Sequence, residues 1–155
     1  MITVTLDNHF RKEEKLMKTS QRFFQQLLLL YRPFENKLVH VLGTHHIQRA
    51  QWTILFYLYE YGSATLVELS SYQGVEKPTI TRTIQQLEAL GYVEQMTSQD
   101  KREKRMQLTE LGKETYLTVR IAVDKFEEEI VHNLTENDLK EAIQIMSSIR
   151  NNLLK

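Results

Sequence analysis

The sequence predicts a mainly α fold interrupted by one small β-hairpin. Apolar residues recur at helical spacing through most of the 155 residues. Between them, residues 92–96 and 104–108 alternate as short strands around a highly charged loop. The composition, 41% hydrophobic and 26% charged, is globular and suits one domain, 1–155, with no long disordered tail.

Residues 10–42 form the first helical pattern, apolar at Leu16, Phe23, Phe24, Leu27, Leu28, Leu30, Phe34, Leu38 and Val41. Pro33 removes one hydrogen bond and crowds the preceding turn, yet the spacing resumes beyond it, so a bent helix is expected. Gly43-Thr44 ends it. A second helix, 49–61, has a broad apolar surface of Trp52, Leu55, Phe56, Leu58 and Tyr59, closed by Gly62. Residues 65–72 make a short third helix with Leu66, Val67 and Leu69 inward, and Gln73-Gly74-Val75 turns the chain into a fourth.

The fourth helix has Pro78 in its first turn, where a missing amide proton is harmless. Ile80, Ile84 and Leu87 recur at helical spacing and face a core. At about 100° per residue the opposite side presents Pro78, Thr79, Arg82, Gln85 and Gln86, with Thr81 at the margin. Leu90-Gly91 ends the helix before the hairpin. Thr109 caps a fifth helix with a stripe of Tyr116, Val119, Val123, Phe126 and Ile130. Thr135 with Asp138 resembles a capping box for a sixth, apolar at Leu139, Ile143, Met146, Ile149 and Leu153.

Helix, short turn, helix, hairpin in this order is a winged helix-turn-helix, placed at 47–112. The flanking helical parts, 10–42 and 113–155, carry more apolar surface than a small winged helix covers. A second copy of the chain is the simplest partner, since twofold pairing buries the same stripe twice. The expected architecture is thus a winged helix-turn-helix plus a helical dimerisation region.

A polar-faced helix followed by the tip Asp100-Lys101-Arg102-Glu103-Lys104-Arg105 is suited to duplex DNA. The helix is expected to lie in a major groove while the tip reaches toward phosphates or the neighbouring minor groove. Formal net charge is zero, which argues against a wholly basic, non-specific binder. The distribution is uneven: residues 77–105 hold six basic against four acidic side chains, whereas 113–155 hold six against eight. A positive middle segment is expected if only that part meets phosphate.

Arg82 is a candidate for bidentate contact to guanine or for a phosphate clamp, against a solvated surface arginine. Thr79, Thr81 and Gln86 suit phosphates or base edges, although such residues also decorate ordinary helices. Lys77 lies near the helix start, where backbone amides also favour phosphate, and is expected to position rather than specify. In the hairpin tip, Asp100 can pair with Arg102 or Arg105 and shape the loop while another guanidinium enters the minor groove. Lys101, Lys104 and Arg105 are candidates for phosphate contacts or internal pairing; a merely solvated charged turn is the alternative.

Other classes fare worse. No phosphate-binding glycine loop, nucleophile elbow or metal-ligand spacing is present, so neither an enzyme nor a cofactor is expected. His45 and His46 point about 100° apart on a helix, and a shared metal would need a loop there. His9, His40 and His132 are scattered, and Glu127-Glu128-Glu129 is a solvated helical face rather than a catalytic pair. Phe23, Phe24, Tyr31, Trp52, Phe56 and Tyr59 line either a ligand crevice or simply the core. Absence of cysteine excludes disulfides and thiol sensing and fits a reducing cytoplasm. The longest apolar run, 27–31, is far short of a membrane span, and no secretion signal is read at the N-terminus, so a cytoplasmic location is expected.

Taken in order, Arg49-Ala50-Gln51-Trp52, residues 75–82, Leu87-Glu88-Ala89-Leu90-Gly91-Tyr92-Val93, Asp100-Lys101-Arg102 and Leu108-Thr109-Glu110-Leu111-Gly112 resemble the MarR family of transcriptional regulators along nearly the whole chain. The resemblance implies an obligate homodimer in which the first, fifth and sixth helices interlock. It also implies two winged helices on a pseudopalindromic double-stranded DNA site, often released by a small-molecule effector. It singles out Arg102 as the groove-entering residue. The expected function is a sequence-specific regulator, more often a repressor; the alternative is a winged-helix protein-interaction module without specific DNA binding.

Overall fold

The computed structural model describes residues 17–97 and 102–155. Leu16, His9, Asp100 and Lys101 of the sequence reading lie outside them. Among the described residues the helices are α1 (Thr19–Gly43), α2 (Arg49–Tyr61), α3 (Leu66–Gln73), α4 (Lys77–Ala89), α5 (Glu110–Ile130) and α6 (Glu136–Leu153). The strands are β1 (Ala64–Thr65), β2 (Val93–Gln95) and β3 (Arg105–Leu108).

Local chemistry sets most boundaries. α1 runs through Pro33 as one helix and ends where the Thr44 amide returns to His40 O at 3.2 Å. The following turn places His46 at φ 60°, a left-handed conformation that a non-glycine residue adopts at a cost. Gly62 at φ 83° closes α2, and Gly74 in the left-handed region closes α3. Thr65 caps α3 by a reciprocal pair: its hydroxyl accepts the Glu68 amide at 3.1 Å, and Glu68 Oε2 accepts the Thr65 amide at 2.9 Å. Thr135 and Asp138 repeat this arrangement at the start of α6, as their spacing predicts.

The sheet is antiparallel in the order β1-β3-β2, with Ala64 opposite Met106 and Val93 opposite Leu108. The third strand, β1, was not legible in the sequence. Two residues carry no periodicity, and their extended state depends on pairing with β3.

The core is built from Leu55 and Leu58 of α2, Leu69 of α3, Ile80, Ile84 and Leu87 of α4, and Tyr116, Val119 and Val123 of α5, all buried. Two inward assignments need correction. Val67 is 59% exposed, because α3 is so short that only Leu69 is buried. Ile130 is also exposed, at the end of an α5 stripe that is otherwise covered as far as Phe126. Phe126 stacks on Phe34 of α1 at 5.7 Å, so the C-terminal part of α1, with Leu38 and Leu42, belongs to the core.

The helical flanks behave differently. α6 buries none of its residues, and Ile143, Met146 and Leu153 are exposed. The N-terminal part of α1 exposes Phe23, Phe24, Leu27, Leu28 and Leu30. Two amphipathic helices therefore present apolar faces that a single copy of the chain leaves in water.

The hairpin and α5 meet at a tight junction. The Thr109 amide donates to Tyr92 O at 3.0 Å, the Thr109 hydroxyl donates to Gly91 O at 2.6 Å, and the same hydroxyl accepts the Gly112 amide at 3.0 Å. A Cβ on Gly112 would lie 2.0 Å from Tyr92 O and 2.8 Å from Tyr92 C. An ordinary glycine-to-alanine change inside a helix stabilises by about 1 kcal/mol. Here the sign reverses, since backbone would have to move: Gly112→Ala is expected to lower stability by about 3 kcal/mol, measured by denaturant unfolding. A gain in stability would show that the approach of α5 to the hairpin is not tight.

Candidate nucleic-acid interface

The turn from α3 into α4 fixes the presentation of the polar helix. Gln73 on α3 donates to Ala50 O on α2 at 3.0 Å, and the Val75 amide returns to Ser70 O at 3.1 Å. With Ile80, Thr83, Ile84 and Leu87 buried, α4 can rotate no further without opening the core. Lys77, Thr79, Arg82, Gln85 and Gln86 are then exposed on its outer side, and Thr81 is half-buried.

These side chains are not equivalent. The Thr81 hydroxyl donates to Lys77 O at 3.0 Å, so it offers lone pairs outward rather than a proton. Thr83, which had no assigned role in the sequence, is buried and donates to Thr79 O at 3.1 Å. Gln86 Oε1 accepts from the buried Gln51 of α2 at 3.3 Å, which ties this side chain to the core as well as to the exposed face.

The described basic residues of the wing differ in their surroundings. Arg105 turns inward: Nε donates to Ser63 Oγ at 3.0 Å, Nη2 to Glu68 Oε2 at 3.2 Å, and Nη1 to Glu103 Oε1 at 3.0 Å. The expected pairing with Asp100 lies outside the described residues, and Glu68 and Glu103 are the partners found. The carboxyl of Glu68 is held below its ordinary value, first by the Thr65 amide and then by the charge of Arg105. Arg102 and Lys104 are exposed and line a cleft of about 330 Å³ with Lys77, the acidic Glu103 and residues Thr65, Leu66 and Val67. Lys77 is remote in sequence from the other two bases, and nothing in the spacing alone brings the three together.

Within a single copy of the chain the six aromatic residues have different surroundings. Trp52 is buried and stacks on Tyr116 of α5 at 5.0 Å, with Tyr59 on Tyr116 at 4.4 Å. Burial pushes the Tyr116 phenol up, and the Arg120 guanidinium lies 5.6 Å from the Trp52 ring. This stack joins α2 to α5. Phe23 and Phe24 meet edge to face at 5.3 Å on the exposed part of α1, and Tyr31 is exposed there too. A separate cleft of about 610 Å³ opens between α1 and α5 beside Lys37, His40, Val41, Lys125 and Phe126, and none of the six aromatics lines it.

The remaining candidates are located simply. His45 and His46 occupy the turn after α1, and among the described residues no three His, Cys, Asp or Glu are grouped to hold a metal ion. Glu127 pairs with Arg120 at 2.6 Å. Among the described residues no helix is long and apolar enough to cross a membrane.

Comparison with known proteins agrees with this geometry. The MarR family model matches residues 47–104, from the start of α2 into the wing. An HTH-type transcriptional regulator of Staphylococcus aureus (strain Mu50) is 33% identical over 139 residues, covering 88% of this chain and 95% of that protein. The regulator YwoH of Bacillus subtilis (strain 168) is 41% identical over 93 residues, 60% of this chain and 67% of YwoH. Among solved structures, a Staphylococcus aureus MarR in complex with salicylate and kanamycin superposes with a TM-score of 0.78 at 33% identity, over 87% of this chain and 92% of that one. A MarR family regulator from Silicibacter pomeroyi shares the fold, with a TM-score of 0.75 at 23% identity, over 82% of this chain and 86% of that one. Near-complete coverage at this identity, together with the winged helix just described, establishes that the chain belongs to the MarR family of transcriptional regulators.

Proposed function

We propose that the chain acts in the cytoplasm as a homodimeric repressor that reads a pseudopalindromic operator. The observation that carries this reading is the exposed row Lys77, Thr79, Arg82 and Gln86 on α4 beside Arg102 and Lys104 of the wing. Helical side chains of this kind reach base edges and phosphates in a major groove, and a wing arginine suits the adjacent minor groove. Arg82 is assigned to base or phosphate contact, Lys77 and Lys104 to phosphate, and Arg102 to the groove flank. Thr79, Thr81, Gln86 and Lys101 complete the contact set. Arg105 is assigned to hold the wing rather than to meet DNA.

Twofold pairing is supported by the exposed apolar faces of α1 and α6, which would bury each other's stripes in a dimer and carry the two α4 helices to half-sites about one helical turn apart. No step of this function requires bond-making chemistry. The similar Staphylococcus aureus MarR is a complex with salicylate and kanamycin, which supports a small aromatic acid as the effector class.

The first test is selection of bound fragments from genomic DNA at physiological salt, followed by footprinting. An enriched inverted repeat supports the reading; a folded protein that enriches no sequence, with or without salicylate, overturns it. At the selected site Arg102→Ala is expected to weaken binding by about 1 to 3 kcal/mol while the dimer persists. Unchanged affinity by fluorescence anisotropy would remove the wing arginine from the interface. Replacing both Ile143 and Met146 with glutamate is expected to abolish dimerisation and operator binding together, because two charges would be buried against an apolar face. A monomeric variant in sedimentation that still protects both half-sites would refute the pairing.

A further inference from the structure

Among the described cations of the wing, Arg102 and Lys104 line the cleft, whereas Arg105 reaches back to β1 and α3. Arg105 is the cross-strand partner of Thr65, and its guanidinium reaches Ser63, Glu68 and Glu103 at once. Glu68 is the hinge of this arrangement. Its Oε2 accepts both the Thr65 amide that starts α3 and the Arg105 guanidinium. One carboxylate therefore ties α3, the helix before the proposed recognition helix α4, to β3, the central strand of the sheet.

The cleft with Lys77, Arg102, Lys104 and the Arg105 partner Glu103 lies along the same seam, with Thr65, Leu66 and Val67 as its other wall. The distance between the wing and α3 decides how these three cations are spaced. A partly exposed ion pair contributes little to global stability. Its effect is geometric, because Arg105 has a planar fork that fixes direction as well as distance.

We propose that Glu68, which itself meets no DNA, is a positioning residue for DNA recognition: through Arg105 it sets the wing so that Arg102 and Lys77 engage the duplex together. The inference rests on the operator-binding reading above. Removing the Glu68 charge leaves the recognition helix seated in its core but lets the wing shift, so only the wing-dependent part of the affinity is lost.

Glu68→Gln is the informative variant, since its amide oxygen can still accept the Thr65 amide while the charge opposite Arg105 disappears. Operator affinity is measured for the full-length wild type, Glu68→Gln, Arg102→Ala and the double variant. Glu68→Gln alone is expected to weaken binding about fivefold, and less than about twofold when Arg102→Ala is already present. Hydroxyl-radical footprints should lose protection in the flanking minor groove and keep it over the centre of each half-site. Equal losses in both Arg102 backgrounds, or unchanged affinity, overturn the inference while leaving the operator reading intact. A wild type with no preferred site overturns both. Amide exchange without DNA gives an independent readout: faster exchange in β2 and β3 of Glu68→Gln, with α4 unchanged, is expected, and identical exchange in the wing refutes the positioning role even if affinity falls.

Discussion

The structure turns on the contact between the start of α5 and the exit from α4. Gly91 and Tyr92 offer two carbonyl oxygens, and Thr109 satisfies both while capping α5 with the same hydroxyl. Gly112 permits this because it has no Cβ to strike the Tyr92 carbonyl. The Tyr92 amide in turn closes on Leu87 O at 2.9 Å, so the last turn of α4, both ends of the hairpin and the first turn of α5 share one hydrogen-bonded knot. The wing cannot move as a whole relative to the recognition helix while this knot holds.

Above the knot, the wing is held at a second point by Arg105, and the two anchors differ in kind. The base is backbone held to backbone through a threonine and a glycine, with little freedom. The Arg105 strut consists of side chains partly open to water, held by charge and hydrogen bonds that exchange more readily with solvent. The wing thus has a rigid base and an upper part that yields more readily.

On the other side of α5 lies the link to the helical flanks. Trp52, Tyr116 and Tyr59 stack across α2 and α5, and Arg49 on α2 forms a forked ion pair with Glu35 of α1 at 3.0 Å. Gln51 of the same α2 donates to Gln86 at 3.3 Å, so α2 touches α1, α5 and α4 at once.

Much of this was legible in the chain itself. The bounds of α2 follow from its apolar run and Gly62, the caps of α5 and α6 from Thr109 and Thr135, and the outward face of α4 from the spacing of Ile80, Ile84 and Leu87, because helical periodicity and capping are local. The exposed stripe of α6 was legible as surplus apolar surface for the same reason. Tertiary structure alone decided the rest. β1 exists only by pairing with β3, Val67 is exposed because α3 is too short to be covered on both sides, and Arg105 is drawn to Glu68 rather than outward by a neighbour that lies far away in sequence. The gathering of Lys77, Arg102 and Lys104 around one cleft likewise depends on the chain returning through the hairpin. Local chemistry determines which residues a helix shows and where it stops; which of them meet is set by long-range packing, which no spacing encodes.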